Sequence, residues 1–197
     1  MRLILASASP RRRQLLDALQ LEFEIRPSEV DEVRLPEEPA PAYVERVARA
    51  KAAAVAAPGL VVVAADTTVV HEGKIMGKPG HPEEARAMLR RLQGDVHEVF
   101  TGVAVAVWEE AATVRSLVDV SEVVFLPMTD EEIAAYVETG EPMDKAGAYA
   151  MQGLGGIYVE RVSGSPFTVI GLPIHLLPRL MAASGASLTS FRAAGGG

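Results

Sequence analysis

The chain has 197 residues, 49% of them hydrophobic and 23% charged. That is enough for one compact domain or two small lobes with a real core, and it excludes disordered, collagen-like and coiled-coil chains. The absence of cysteine excludes a disulfide scaffold, a thiolate zinc site and a Cys nucleophile. A net charge of −7 with only 5% aromatic residues argues against nucleic acid or an anionic membrane as partner.

Arg2 to Ala6 reads as a short buried strand within an opening, MRLILASASP, that is too polar for a signal peptide. Ser9-Pro10 has the form of a helix start, Ser at the N-cap and Pro in the first turn, with Leu15, Leu16 and Leu19 as the apolar face. Glu22 to Arg26 is a second strand, and Pro27 to Pro41, rich in Pro and Glu, a long loop. Pro41 to Ala57 is predicted helical, with Val44, Val47, Ala48 and Val55 on one side.

Leu60 to Val70 is a strand whose first six residues, Leu60 to Ala65, are all apolar, hence central in a sheet. Six residues fall far short of the roughly 20 of a membrane helix, so a soluble, cytoplasmic protein is expected. Glu72-Gly73 is a turn, and Pro82 to Leu92 a helix. Val96 to Trp108 and Thr113 to Leu126 are β-rich runs broken at Glu109-Glu110, a long hairpin that offers an edge for a homodimer. Thr129 to Thr139 is a helix opened by a capping box and stopped at Gly140. Asp144 to Gly156 is a Gly-rich loop, Ile157 to Val162 a strand, and Ile170 to Ala183 a last helix interrupted near Pro173 and Pro178. The tail, residues 186–197, has no periodicity and is expected to be flexible. The whole is mixed α/β with antiparallel content, and no shift in composition marks a linker.

Arg11, Arg12 and Arg13 occupy the first turn of their helix, where the positive end of the helix dipole makes each cation cost about 0.3–1 kcal/mol. The helices at Pro82 and Thr129 instead begin with acidic residues. A bound anion resolves the conflict: the amides of a helix N-terminus and arginine side chains both suit phosphate oxygens. Arg12 falls between Leu16 and Leu19, inside the apolar stripe, whereas Arg13 can pair with Asp17. Lys51 lies in the apolar stripe of its own helix, either as a snorkelling stem or as an ammonium held at the rim of a site.

Asp66 arrives from a buried strand and must be hydrogen-bonded, paired or metal-bound; it suits either the cap of a turn or a metal ligand or base that activates water. Glu29, Asp31 and Glu32 form either an exposed acidic loop or, through Glu32 or Asp31, the second half of a hard-oxygen site for magnesium or manganese, and Lys78 can serve as a point-charge phosphate contact. Gly73 to Pro79 fails the Walker pattern, and Gly153 to Gly156 fails the dinucleotide pattern because it precedes a strand. Ser165 lacks a nucleophile-elbow context, and His71, His81, His97 and His175 show no metal-ligand spacing and are expected at the surface or in turns. The set suits a metal-bound polyphosphate without naming the base or the bond cleaved.

Leu5-Ala6-Ser7-Ala8-Ser9-Pro10-Arg11-Arg12 followed by Leu15-Leu16 resembles the opening motif of the Maf family of nucleotide pyrophosphatases. Ala64-Ala65-Asp66-Thr67 leading to Gly77-Lys78-Pro79, the run Asp144 to Gly153, and Gly171-Leu172-Pro173 resemble its later motifs, from about residue 3 to residue 180 in all. Pro166-Phe167 and Val169-Ile170 vary the last of them.

The resemblance implies an elongated mixed sheet in two lobes flanked by helices, the fold shared with the inosine-triphosphate pyrophosphatases. Residues 1–185 would be one two-lobed domain with the nucleotide in the cleft between lobes. It implies hydrolysis of a nucleoside triphosphate to monophosphate and pyrophosphate with a divalent cation, Mg²⁺ or Mn²⁺. The family's catalytic aspartate falls on Asp66, its phosphate-gripping residues on Ser9, Arg12, Lys51 and Lys78, and its metal site on Asp66 and Glu32. Arg11, Thr67 and Gln152 match the subgroup that prefers dTTP and UTP; the subgroup preferring 7-methyl-GTP tends to carry Trp and Glu where Arg11 and Gln152 stand. A Gln amide offers both a donor and an acceptor to a pyrimidine edge. The alternative is a non-hydrolysing, nucleotide-binding regulator of cell division.

Overall fold

The computed structural model describes residues 1–108 and 110–193. These residues form seven strands in one mixed sheet: β1 (Arg2–Leu5), β2 (Phe23–Ile25), β3 (Leu60–His71), β4 (Lys74–Met76), β5 (Val96–Trp108), β6 (Ala112–Phe125) and β7 (Val159–Ser163). The strand order is β2-β1-β3-β5-β6-β7, with β4 paired to β3. The helices are α1 (Pro10–Ala18), α2 (Ala40–Val55), α3 (Pro82–Leu92), α4 (Asp130–Glu138), α5 (Pro166–Ile170) and α6 (Leu177–Ala183). The mixed α/β class expected from the sequence is the one observed. Among the described residues no helix is long and apolar enough to cross a membrane. The chain divides into two compact units.

The first unit comprises Met1–Asp66, Thr101–Asp119 and Gly171–Gly197. In it β1 is paired in parallel on both sides, Leu3 opposite Phe23 and Val61, Leu5 opposite Ile25 and Val63. Parallel neighbours need crossover connections, which α1 and α2 supply. Helix α2 buries Val44, Val47, Ala48, Lys51 and Ala52, an i, i+3, i+4, i+7, i+8 stripe. Ala48 and Ala52 meet Ile4, Val62, Ala64, Ala104 and Ala106 of the strands in one core. The small residues let the helix lie close to the sheet. At Gly102 a β-carbon would stand 2.4 Å from the carbonyl oxygen of Val44, so only glycine fits there.

The tail expected to be flexible is anchored as far as it is described. Phe191 is buried, its carbonyl accepts from the Glu22 amide at 2.7 Å, and the Ala193 amide donates to Gln20 at 2.9 Å. One buried aromatic side chain and two backbone bonds are enough to order a segment without periodicity. Residues 194–197 and Glu109, the first residue of the expected hairpin break, lie outside the described residues.

The second unit comprises Thr67–Phe100 and Val120–Ile170. Strands β3 and β4 form a hairpin over Glu72 and Gly73, both at positive φ (50° and 71°), the two-residue turn that matches strand twist. Helix α4 carries the expected capping box: the Thr129 hydroxyl accepts from the Glu132 amide and the Glu132 carboxylate from the Thr129 amide. Gly140, at φ 75°, follows its end. The expected Gly-rich loop is built from short 3-10 turns at Glu141–Asp144, Ala146–Ala148 and Leu154–Tyr158. The single interrupted helix expected over Ile170 to Ala183 is instead a 3-10 turn, Ile174–Leu176, leading into α6 of the first unit, while α5 ends at Ile170; Pro178 sits in the first turn of α6, where a missing amide costs nothing.

The expectation that the histidines lie at the surface or in turns is corrected for two of them. His71 and His97 are buried, at 4% and 2% exposure. His97 shares the inward face of β5 with Val99, between the exposed Val96 and Glu98, so strand alternation turns it into the core. Its Nε2 lies 2.8 Å from the Tyr149 hydroxyl, and its ring packs edge-on against Phe125 and Tyr149. His71 Nε2 lies 3.0 Å from Asp95 Oδ2.

Burial first, and then the charge of His71, lowers the His97 imidazole from 6.5 to about 4. The unfolded chain therefore binds a proton that the folded chain refuses. Stability from this group is full above pH 6.5 and is lost as pH falls towards 4, about 3 kcal/mol in all. Denaturant midpoints at pH 7 and pH 4.5 should fall more steeply for the wild type than for His97→Gln, which does not titrate. Equal slopes would refute the assignment.

Candidate active site

Strand β3 enters the first unit as the buried run Leu60 to Ala65 and delivers Asp66, only 6% exposed. Lys51 reaches it from the buried stripe of α2. The Lys51 ammonium donates to Asp66 Oδ1 at 2.8 Å and lies 2.8 Å from Glu32 Oε1. Lys51 is buried and ion-paired, not a snorkelling stem with its ammonium in solvent. Asp66 takes a hydrogen bond from the ammonium, and Glu32 is held to it as an ion pair.

Glu32 belongs to the long loop between β2 and α2, and α2 holds that loop in place. The Tyr43 hydroxyl donates to the Glu32 carbonyl at 3.0 Å, and Arg46 Nη2 donates to the Val33 carbonyl at 3.0 Å. Arg46 also grips Glu38 with both arms of its fork, at 2.7 and 2.8 Å, and holds that carboxyl down at about 2. Asp31, the other carboxylate weighed for the site, accepts from the Val33 amide at 2.8 Å and caps its own turn.

At the start of α1, Ser9 is extended (φ −66°, ψ 118°) with Pro10 following, as expected, but its side chain makes no capping bond. The Ser9 amide donates instead to the Ser7 hydroxyl at 3.2 Å. Arg12 turns inward: its Nε donates to the Gly171 carbonyl at 2.7 Å and its Nη1 to the Ser7 hydroxyl at 3.2 Å. Arg13 is exposed and pairs with Asp17 at 3.4 Å, as the i+4 spacing predicts. Arg11 is half-buried.

The electrostatics join these groups. Burial raises the Asp66 carboxyl above its ordinary value, against the opposing charges of Lys51 and Arg12, and Glu32 pushes in the same direction as burial. Burial lowers the Arg12 guanidinium, with Asp66 opposing it. Burial and the charges of Asp66 and Glu32 raise the Tyr43 hydroxyl. The result is a desolvated carboxylate within the field of two cations, suited to holding a water molecule and taking its proton.

Of the residues singled out in the sequence, Ser9, Arg11, Arg12, Glu32, Lys51 and Asp66 fall in the first unit. Thr67, Lys78 and Gln152 fall in the second: Thr67 half-buried next to Asp66 in β3, Lys78 exposed after β4, and Gln152 exposed in a turn before Leu154. Sequence reasoning missed Tyr43, Arg46 and the Gly171 carbonyl. Tyr43 and Arg46 act on backbone carbonyls, which no residue pattern announces.

Among the described residues no group of three or more His, Cys, Asp or Glu could hold a metal ion. The donors that are present are hard oxygens, and Asp66 and Glu32 already share one cationic group, Lys51. Magnesium is usually bound by one or two carboxylates completed by substrate phosphates, so this pair fits such a cation.

A family model described as Maf-like protein matches residues 2–184, and the chain belongs to that family. Among its curated relatives, a dTTP/UTP pyrophosphatase of Anaeromyxobacter dehalogenans (strain 2CP-C) is 52% identical over 185 residues, 93% of this chain and 94% of its own. The dTTP/UTP pyrophosphatases of Myxococcus xanthus (strain DK1622) and Shigella sonnei (strain Ss046) are 47% and 46% identical, over 94% and 87% of both chains respectively. A solved structure described as a nucleoside-triphosphatase, dITP/XTP pyrophosphatase, from Mycobacterium abscessus aligns with 93% of this chain and 97% of its own at 15% identity and a TM-score of 0.41.

Proposed function

We propose that the chain is a nucleoside triphosphate pyrophosphatase that hydrolyses dTTP and UTP to the monophosphate and pyrophosphate in the cytoplasm. The observation that carries this reading is the buried Asp66 bridged through Lys51 to Glu32, with Arg12 in the same field. Relatives at about half identity named dTTP/UTP pyrophosphatase support it, and nothing favours the non-hydrolysing alternative.

Phosphoryl chemistry asks a protein mainly for positioning and charge stabilisation. Asp66 orients a water for attack on the α-phosphorus and accepts its proton. Arg12, Lys51 and Lys78 hold the phosphate charge that departs as pyrophosphate, and Ser9 offers an uncommitted hydroxyl at a helix start. Asp66 and Glu32 are the residues that would hold Mg²⁺ or Mn²⁺, which when bound supplies neutralisation of the phosphate oxygens. Arg11, Thr67 and Gln152 select the base, the Gln152 amide meeting a pyrimidine edge with both donor and acceptor.

A panel of nucleoside triphosphates and phosphosugars, incubated with Mg²⁺ or Mn²⁺ and scored for pyrophosphate against orthophosphate, tests this reading. Pyrophosphate from UTP and dTTP is expected; orthophosphate alone, or no turnover, refutes it. Because burial raises the Asp66 carboxyl, the acid limb of kcat/KM should lie above the 3.8 of an ordinary aspartate, with activity lost as pH falls through it.

A further inference from the structure

In the second unit the Glu141 carboxylate is spent on a tyrosine hydroxyl and on loop amides. Glu141 follows α4, and its side chain turns back on the loop that carries Gln152. Its Oε1 accepts from the Tyr136 hydroxyl at 2.7 Å and from the Gly155 amide at 3.0 Å, and its Oε2 accepts from the Leu154 amide at 3.0 Å. The Tyr136 hydroxyl in turn accepts from the Ala150 amide at 3.2 Å. The loop is thus fixed at residue 150 on one side of Gln152 and at residues 154 and 155 on the other.

Glu141 is itself held at both ends of its backbone, its amide donating to Thr139 Oγ1 at 3.2 Å and its carbonyl accepting from Lys145 Nζ at 2.7 Å. Tyr136 is buried on α4. The loop contains Gly153, Gly155 and Gly156, residues that leave a free segment many conformations. Two of these glycines are required by the clamp. A β-carbon at Gly153 would stand 2.2 Å from Glu141 Oε2, and one at Gly155 would stand 2.4 Å from the Tyr136 hydroxyl. Burial would raise the Glu141 carboxyl, but the Tyr136 hydroxyl and the amides of Gly155 and Leu154 outweigh it and hold the group ionised. An ionised, fully engaged carboxylate buttressed by a buried tyrosine is a rigid mount, while the Gln152 side chain beyond it is exposed and available.

We infer that Glu141 and Tyr136 are positioning residues for base selection, holding the 150–155 turn so that Gln152 presents its amide in a fixed place. This rests on the proposed role of Gln152 in the pyrimidine triphosphatase reading, and adds to it a support made of residues that touch no substrate. In Glu141→Gln only one side-chain oxygen remains to accept, so one loop amide loses its partner. In Tyr136→Phe the ring stays and the hydroxyl is lost, which frees the Ala150 amide.

The test is steady-state kinetics of the wild type and both variants with UTP and GTP, together with hydrogen exchange of the loop amides. Both variants should lose about tenfold in the UTP-to-GTP ratio of kcat/KM, through a raised KM for UTP with kcat changed less. Exchange should quicken at one of Leu154 and Gly155 in Glu141→Gln and at Ala150 in Tyr136→Phe. A ratio that stays at the wild-type value while the loop amides exchange faster overturns the proposal. So does unchanged protection of those amides, or an equal loss of kcat on both nucleotides. A wild type that turns over UTP and GTP alike removes the role of Gln152 and this proposal with it, an outcome visible before any variant is made. Tyr136→Phe keeps the inference testable if Glu141→Gln fails to fold.

Discussion

Asp66→Asn is expected to lower kcat for UTP by about 10²–10⁴-fold while leaving the protein folded. The substitution is nearly isosteric, and the amide oxygen can still accept the Lys51 hydrogen bond that now spans 2.8 Å. What disappears is the ability to take a proton from water. The effect on stability has the opposite sign. Burial raises the Asp66 carboxyl in the folded state, so the folded chain holds this proton more tightly than the unfolded chain does. The contribution of that group is present at low pH and lost as pH rises through its raised value, so at neutral pH the ionised Asp66 costs stability. Asp66→Asn should melt at or above the wild-type temperature and still release little pyrophosphate. Turnover within a few-fold of wild type would remove Asp66 from the chemistry, and a collapsed melting curve would show that the loss of activity was one of fold.

Asp66 and Lys51 were legible in the sequence for the same reason: each is a charge where the pattern demands an apolar residue. A carboxylate at the end of a buried strand and an ammonium at i+7 of a helical stripe must find partners, and they find each other. Glu32 was legible only as one of several loop acids. Its choice over Asp31 depends on Tyr43 and Arg46 gripping backbone carbonyls of the loop, contacts made across the fold and invisible to spacing. His97 was legible and misread. The alternation that ends at Val99 runs back through it to the start of β5, and reading that period of two would have buried it.

The helix boundaries were recovered where capping chemistry is strong, as at Thr129, and blurred where two prolines left the break ambiguous, as at Pro173 and Pro178. The turn around Glu141 was read as an open Gly-rich loop. Its order comes from amide donors converging on a carboxylate, and every residue type but proline supplies such donors.

Lys51→Met should be the most destabilising of the single changes considered. Methionine keeps the apolar stem of the side chain and deletes the ammonium, with its charge and its hydrogen bond to Asp66. Glu32 is 45% exposed at its side chain and can turn to water, whereas Asp66, at 9%, cannot. The penalty therefore falls on a buried aspartate left without its partner, and removing one member of a buried pair costs about 3–5 kcal/mol. Without Lys51 the Asp66 carboxyl rises further, because Lys51 is the first of the charges that oppose its burial. The deficit should then shrink as pH falls from neutral and Asp66 takes up a proton, the reverse of the behaviour expected from His97. Urea denaturation at pH 7.5 and pH 5 measures this directly, and the double variant Lys51→Met with Asp66→Asn should recover most of the loss, since no buried charge is stranded. A deficit under about 1 kcal/mol at pH 7.5, or one that neither pH nor the second substitution relieves, would mean that the pair is not what sets the energetics of this site.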